Sequence, residues 1–149
     1  MEGYQCFGCS PDNPIGLHMK FYEEGDFVLC NWEPTRHFGG YKNVLHGGIQ
    51  ATLLDEIAAW TVQVKLRTAG VTANIDLKFR KPVFTDKGNL LLKAHIENVE
   101  KRIASVRTEL INSQQDLCCD GLVKYFIYPE EIAREKLYFP EFEDFFRKK

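Results

Sequence analysis

The sequence has no apolar run near the roughly 20 residues that cross a bilayer, and its opening Met1-Glu2-Gly3-Tyr4 lacks the basic start and apolar stretch of a secretory signal. Both absences point to a cytoplasmic protein with no membrane partner. An excess of charge is also missing: 19 Lys and Arg stand against 21 Asp and Glu, a formal net charge of −2. A chain without a basic field is not built to hold nucleic acid, so any anion site must be local. Cysteines are few and odd in number: Cys6, Cys9, Cys30, Cys118 and Cys119. With 44% hydrophobic residues among 149, the chain can bury a core without disulfides, and reduced thiols are expected. Cys6-Phe7-Gly8-Cys9 has the spacing of a zinc knuckle, yet no second Cys-x-x-Cys or His-x-x-x-His follows to complete four ligands. No metal site is expected there. A redox role fares no better, because Ser10-Pro11-Asp12-Asn13-Pro14 reads as turns where a thioredoxin-type motif needs a helix. Repeats, low-complexity tracts and linkers are absent too, which leaves one domain over residues 1–149.

What the chain does have is His46-Gly47-Gly48-Ile49-Gln50-Ala51-Thr52-Leu53-Leu54-Asp55, a glycine-opened apolar helix predicted over about 47–66. Unpaired amides at a helix start and a carboxylate two turns later suit acyl chemistry. Strands are predicted over about 17–22 and 27–32, joined by a turn at 23–26. Residues 34–43 read as loop, with Gly39-Gly40-Tyr41-Lys42-Asn43 fit for irregular backbone over a site. Val71, Ala73, Ile75, Leu77 and Phe79 then alternate with polar residues, a period of two that marks a strand. Further strands near 89–99, 103–112 and 117–128 complete what reads as a four-stranded antiparallel meander. Pro129-Glu130-Glu131 opens a short helix, and an aromatic, charged tail covers 139–149. Two strands, one long helix and four strands make an α+β chain whose helix, apolar nearly all round, must be wrapped by the sheet. On a helical wheel Ile49, Leu53, Ile57, Trp60 and Val64 face the sheet. Gly48, Ala51, Ala58, Ala59 and Val62 share another face, with Asp55 among them, and Glu56 falls on the polar side, solvated or paired with a lysine.

The order of elements, His46-Gly47-Gly48 at the helix start and an acid nine residues after the His resemble the hotdog-fold acyl-CoA thioesterases, in particular the PaaI-like, phenylacetate-degradation branch. The likeness covers about residues 6–128, including Cys6-Phe7-Gly8-Cys9-Ser10-Pro11-Asp12-Asn13-Pro14-Ile15-Gly16-Leu17, and leaves 129–149 as a terminal helix and tail. It implies a long central helix wrapped by a six-stranded, mainly antiparallel sheet. It further implies a homodimer, or a homotetramer formed as a dimer of dimers, that cleaves acyl-CoA thioesters at the subunit interface with no cofactor beyond the coenzyme A of the substrate. In that family the first glycine amide after the His polarises the thioester carbonyl, and the helix acid is nucleophile or general base. Here these positions are Gly47 and Asp55.

Physical chemistry supports the same pair. An amide at the positive end of a helix is already aimed at a developing oxyanion, and Gly47 has no Cβ to keep the carbonyl away. Asp55 supplies a base charged at pH 7; its plainer role would be a bond to the neighbouring loop. His46 reads as a positioning residue that shapes the turn, with Gly48 beside it. Thr72 matches a position where the resemblance implies a hydroxyl holding the attacking water, and it equally suits a strand start. Gly40 departs from the family pattern, in which an Asn or Gln supports the thioester; Asn43 is the candidate replacement. Arg80 and Lys81, near Lys78, Lys101 and Arg102, could meet the phosphates of coenzyme A. Tyr41, with Phe38 and Trp60, could edge the acyl pocket. Two other readings stay open: a hotdog dehydratase or hydratase on acyl thioesters, and a non-catalytic acyl-CoA binding protein.

Overall fold

The computed structural model describes residues 3–137. At its centre runs helix α1, Gly47–Leu66, capped by His46 and ended by Arg67 in the left-handed region at φ 53°. Six strands form one antiparallel sheet: β1 (Tyr22–Glu24), β2 (Phe27–Trp32), β3 (Gly70–Phe79), β4 (Leu90–Glu100), β5 (Ile103–Ile111) and β6 (Leu117–Ile127). Their order is β1-β2-β4-β5-β6-β3. A short helix α2, Glu130–Leu137, follows. This is the architecture that the resemblance implies. The tail over 139–149 lies outside the described residues.

Burial explains the arrangement. α1 packs against β2, β3, β4, β5 and β6, and Leu53, Leu54, Ile57 and Ala58 are sealed from solvent. Opposite them, β5 buries alternate residues Ala104, Val106, Thr108 and Leu110. Each large side chain so buried stabilises the fold by about 1.5–3 kcal/mol, which makes the helix the nucleus of the core. The hydroxyl of Thr61, also buried, is satisfied by donating to the Ile57 carbonyl at 2.7 Å.

Four expectations are corrected. The first strand lies at Tyr22–Glu24 instead of starting at Leu17. Leu17 and Met19 are buried, but their amides donate to the Phe7 and Gly8 carbonyls at 2.7 and 2.9 Å, so the N-terminal segment takes the bonds a strand would use. Next, β4, β5 and β6 form a meander, whereas β3 lies beyond β6 at the sheet edge. The ten-residue link 80–89 is too long for a tight hairpin. It is held instead by Leu45 donating to the Val83 carbonyl and Thr85 donating to the Asn43 carbonyl, which carry it past the start of α1.

The period of two in β3 also fails to run unbroken. A bulge between Thr72 and Asn74 leaves Ala73 unpaired, so Ile75 opposes Val123 while Thr72 opposes Tyr125. One extra residue reverses which side chains face α1. Lastly, the wheel caught only part of the buried face of α1: Leu53 and Ile57 are sealed as expected, but Ala58 and Val62 from the other face are 0% and 1% exposed, while Ile49, Trp60 and Val64 are only half-buried. A helix apolar on all sides offers no strong directional signal.

Candidate active site

The loop before α1 delivers His46 to the helix start. Its amide donates to the Phe38 carbonyl at 2.9 Å, and Gly40 donates to the Val44 carbonyl at 2.8 Å. The His46 ring then turns back over its own helix, where Nδ1 accepts the Gly48 amide at 2.8 Å. Accepting there places the proton of the neutral ring on Nε2. The sequence reading expected this ring to bond a loop; it bonds the start of its own helix instead. Glycine at 48 leaves room for this bond, since a Cβ there would lie 3.0 Å from the imidazole and the ring would have to yield. Between the two, Gly47 is exposed and its amide donates to no acceptor among the described residues. A Cβ at Gly47 would meet only the Phe79 ring, at 3.7 Å, so its approach is open. This is an aimed, unoccupied donor at the positive helix end.

Asp55 lies two turns along, on the side of α1 that meets the β3–β6 pair. Thr72 Oγ1 donates to its Oδ1 at 2.9 Å. The Tyr125 hydroxyl reaches the same Oδ1 at 2.6 Å and the Asp55 carbonyl oxygen at 2.8 Å. Thr72 and Tyr125 are register partners across the two strands, so the bulge in β3 is what brings both hydroxyls to one oxygen. Burial, and next the charge of Asp55, push the Tyr125 phenol well above its ordinary value, which keeps it a neutral donor. Oδ2 of Asp55 has no partner among the described residues and can hold a water. Tyr125 was not found from the sequence. Its signal was available, since a tyrosine on the inward face of β6, in line with Cys119, Gly121 and Val123, needs a partner for its hydroxyl.

Other expected site residues are dispersed. Tyr41 is 86% exposed. Phe38 packs on Trp32 with centroids 5.7 Å apart, and Trp60 stacks on Phe21 at 4.9 Å, so these aromatics edge no common pocket. Asn43 occupies a left-handed turn at φ 59°, and its carbonyl accepts the Thr85 amide at 2.9 Å. Gly40 is not imposed by space: a Cβ would sit 3.5 Å from His46 Cα, an ordinary contact. Arg80 is held by Asp120, Nε to Oδ1 at 2.5 Å and Nη2 to Oδ2 at 3.4 Å, and Lys81 pairs with Asp116 at 3.2 Å. A phosphate would have to compete with both carboxylates. Gln50, buried one turn into α1, donates to the Leu45 carbonyl at 3.3 Å, and its Oε1 has no partner among the described residues.

The larger correction concerns Glu56. Instead of being solvated or paired with a lysine, it is partly buried under the N-terminal segment. Cys6 Sγ donates to Glu56 Oε1 at 3.3 Å and Trp60 Nε1 donates to the same oxygen at 3.2 Å. Gly8 lies directly on the carboxylate, where a Cβ would come within 2.4 Å of Glu56 Cδ. Burial pushes the Glu56 carboxyl up to about 7, and the neighbouring Cys6 adds to the shift. Hydrogen bonding to Cys9 pulls the Cys6 thiol down, while Cys9 itself is pushed up by the same bond and by burial. All five cysteines are free thiols, and burial raises Cys30, Cys118 and Cys119, so these three are poor nucleophiles.

Comparison with known proteins supplies the family context. A family model described as the thioesterase superfamily matches residues 42–119, which contain Gly47, Asp55 and Thr72. An uncharacterized protein of Schizosaccharomyces pombe is 26% identical over 117 residues, 76% of this chain and 66% of that protein. The chain thus spans slightly under two thirds of that relative. A solved thioesterase superfamily protein superposes with a TM-score of 0.74 at 18% identity, over 83% of this chain and 60% of its own. A thioesterase from Haemophilus influenzae gives 0.68 at 19% identity, over 75% and 79%. A hypothetical thioesterase from Streptococcus pneumoniae, solved with coenzyme A, gives 0.69 at 18% identity, over 75% and 90%. At these identities the solved structures establish a shared fold.

Proposed function

Because the chain belongs to the thioesterase superfamily, whose model matches more than half of it, we propose that it hydrolyses acyl-CoA thioesters and belongs to the PaaI-like branch. The observation that carries this reading is the pairing of an unoccupied Gly47 amide with an Asp55 whose Oδ1 is fixed by two hydroxyls and whose Oδ2 is free. The amide receives the thioester oxygen as it turns into an oxyanion. Asp55 acts on the carbonyl carbon as nucleophile, or takes a proton from the attacking water at Oδ2, with Thr72 and Tyr125 holding the carboxylate in place.

One chain does not bring these groups to a single carbonyl. Gly47 and Asp55 are eight residues apart on α1, roughly 12 Å along its axis at 1.5 Å per residue. Two open surface grooves, of 310 and 270 Å³, include neither residue. Meanwhile β3 ends the sheet, its outer edge unpaired among the described residues, and Ile75 and Phe79 are 41% and 55% exposed along it. An edge strand of this length is a template for another copy. We therefore place each site between two subunits with antiparallel α1 helices, one giving Gly47 and the other Asp55.

A panel of aliphatic and aromatic acyl-CoA thioesters, with released free thiol as the readout, tests the activity. Asp55→Asn should fold normally and lose about a hundredfold or more in turnover, the scale for a positioned acid or base. Near-wild-type turnover would remove Asp55 from the chemistry. Enoyl-CoA hydration in place of thiol release would identify a hydratase, and tight binding without turnover a binding protein.

A further inference from the structure

We propose that Cys6, Cys9 and Glu56 form a binding site for a thiophilic divalent cation of the zinc type, which fastens the N-terminal segment to α1 beside Asp55. The sequence alone offers two ligands and stops there. The fold supplies a third by laying Gly8, inside the Cys6–Cys9 turn, onto the Glu56 carboxylate. The two sulfurs and a carboxylate oxygen all lie within 4.8 Å of one another, and Cys6 Sγ is 3.3 Å from Glu56 Oε1. Zinc bonds of about 2.3 Å to sulfur and 2.0–2.2 Å to oxygen set tetrahedral ligands about 3.5–3.8 Å apart, so little movement is needed to close around an ion.

The surroundings fit ligands better than they fit a bare polar cluster. The Cys9 amide donates to Cys6 Sγ at 3.3 Å, and the Ser10 amide to the Cys6 carbonyl at 3.1 Å, a turn that aims an N–H at sulfur and favours thiolate. Trp60 donates to the Glu56 oxygen that Cys6 also bonds and so orients the carboxylate, the outer-shell support that metal ligands use. Glu56 is partly buried without a cation: none of the ion pairs among the described residues includes it. Once deprotonated, as metal ligands are, two thiolates and a carboxylate would need a positive centre to share that volume. A disulfide would meet the sulfurs' needs but remove the Cys6 bond to Glu56, which a metal replaces. Because all three ligands are only part-buried, a water completes the fourth position.

The test uses the full chain, reduced and stripped of metal. Zn²⁺ should bind at one per chain in competition with a chromophoric chelator and raise the melting temperature with concentration, as a ligand of the native state does. Co²⁺ in its place should give the visible bands of a tetrahedral ion and a thiolate charge-transfer band. Cys6→Ser and Cys9→Ser should each lose affinity by about a hundredfold or more, and Trp60→Phe, which removes the outer N–H along with part of the ring while keeping an aromatic side chain, by about tenfold. If the serine variants do not fold, Glu56→Gln carries the ligand test. The proposal is overturned if the reduced wild type binds no Zn²⁺, if binding survives both serine variants, or if Co²⁺ binds without a thiolate band.

Discussion

At the residue scale, the arrangement around Asp55 is a division of labour between its two oxygens. Oδ1 is taken by Thr72 and Tyr125, and Oδ2 is left for chemistry. Either hydroxyl alone can hold the carboxylate, so each single removal should be mild and the double removal severe. Tyr125→Phe and Thr72→Val are expected to lower kcat by about tenfold each, the worth of a hydrogen bond to a charged group, with KM little changed. The double variant should fall by more than the product of the two, because both act on one atom. Steady-state kinetics on the four proteins decides it. Losses that simply multiply would mean that the hydroxyls act independently and do not share the positioning of Asp55.

At the scale of elements, the core rests on α1. Leu54 is sealed from solvent, and Leu54→Ala should cost about 2–5 kcal/mol, seen as a lower denaturant midpoint at unchanged m-value. A loss no larger than a surface substitution gives would show that α1 is not the centre of packing. The same helix shows what was legible beforehand. Its bounds could be read from Gly47 and from the apolar run to Leu66, because local propensity and termination are written in adjacent residues. Strands β4, β5 and β6 were found within about a residue for the same reason. Pairing is another matter: nothing local says that β3 sits beside β6 or that Ala73 is squeezed out of register. The site divides along the same line. Gly47, His46 and Asp55 were visible within ten residues of chain. Tyr125 lies seventy residues from Asp55 and Cys6 fifty from Glu56, and only the folded sheet and N-terminal segment bring them together.

For the whole molecule, the decisive question is whether one active site draws on two chains. Asp55→Ala removes the acid but leaves the Gly47 amide. Gly47→Pro removes that amide at the first helical position, where proline is best tolerated. Each variant alone should be inactive, since every site in its homodimer lacks one group. In a mixed dimer with shared sites, one site lacks both groups and the other is complete, because the missing acid and the missing amide fall together. Two-fold symmetry and random pairing then set the recovery on co-refolding at up to about a quarter of wild-type activity. Thiol release from an acyl-CoA that the wild type turns over is the readout, with hybrid formation checked by a size or charge tag. Return of activity requires both a dimer and antiparallel helices, since a parallel pair would not bring the Gly47 end of one α1 beside the Asp55 of the other. If hybrids form, both variants are folded and activity stays absent, the shared site is wrong: the site must be built within one chain, and since Gly47 lies roughly 12 Å from Asp55 along α1, a different donor would have to serve the carbonyl beside the acid.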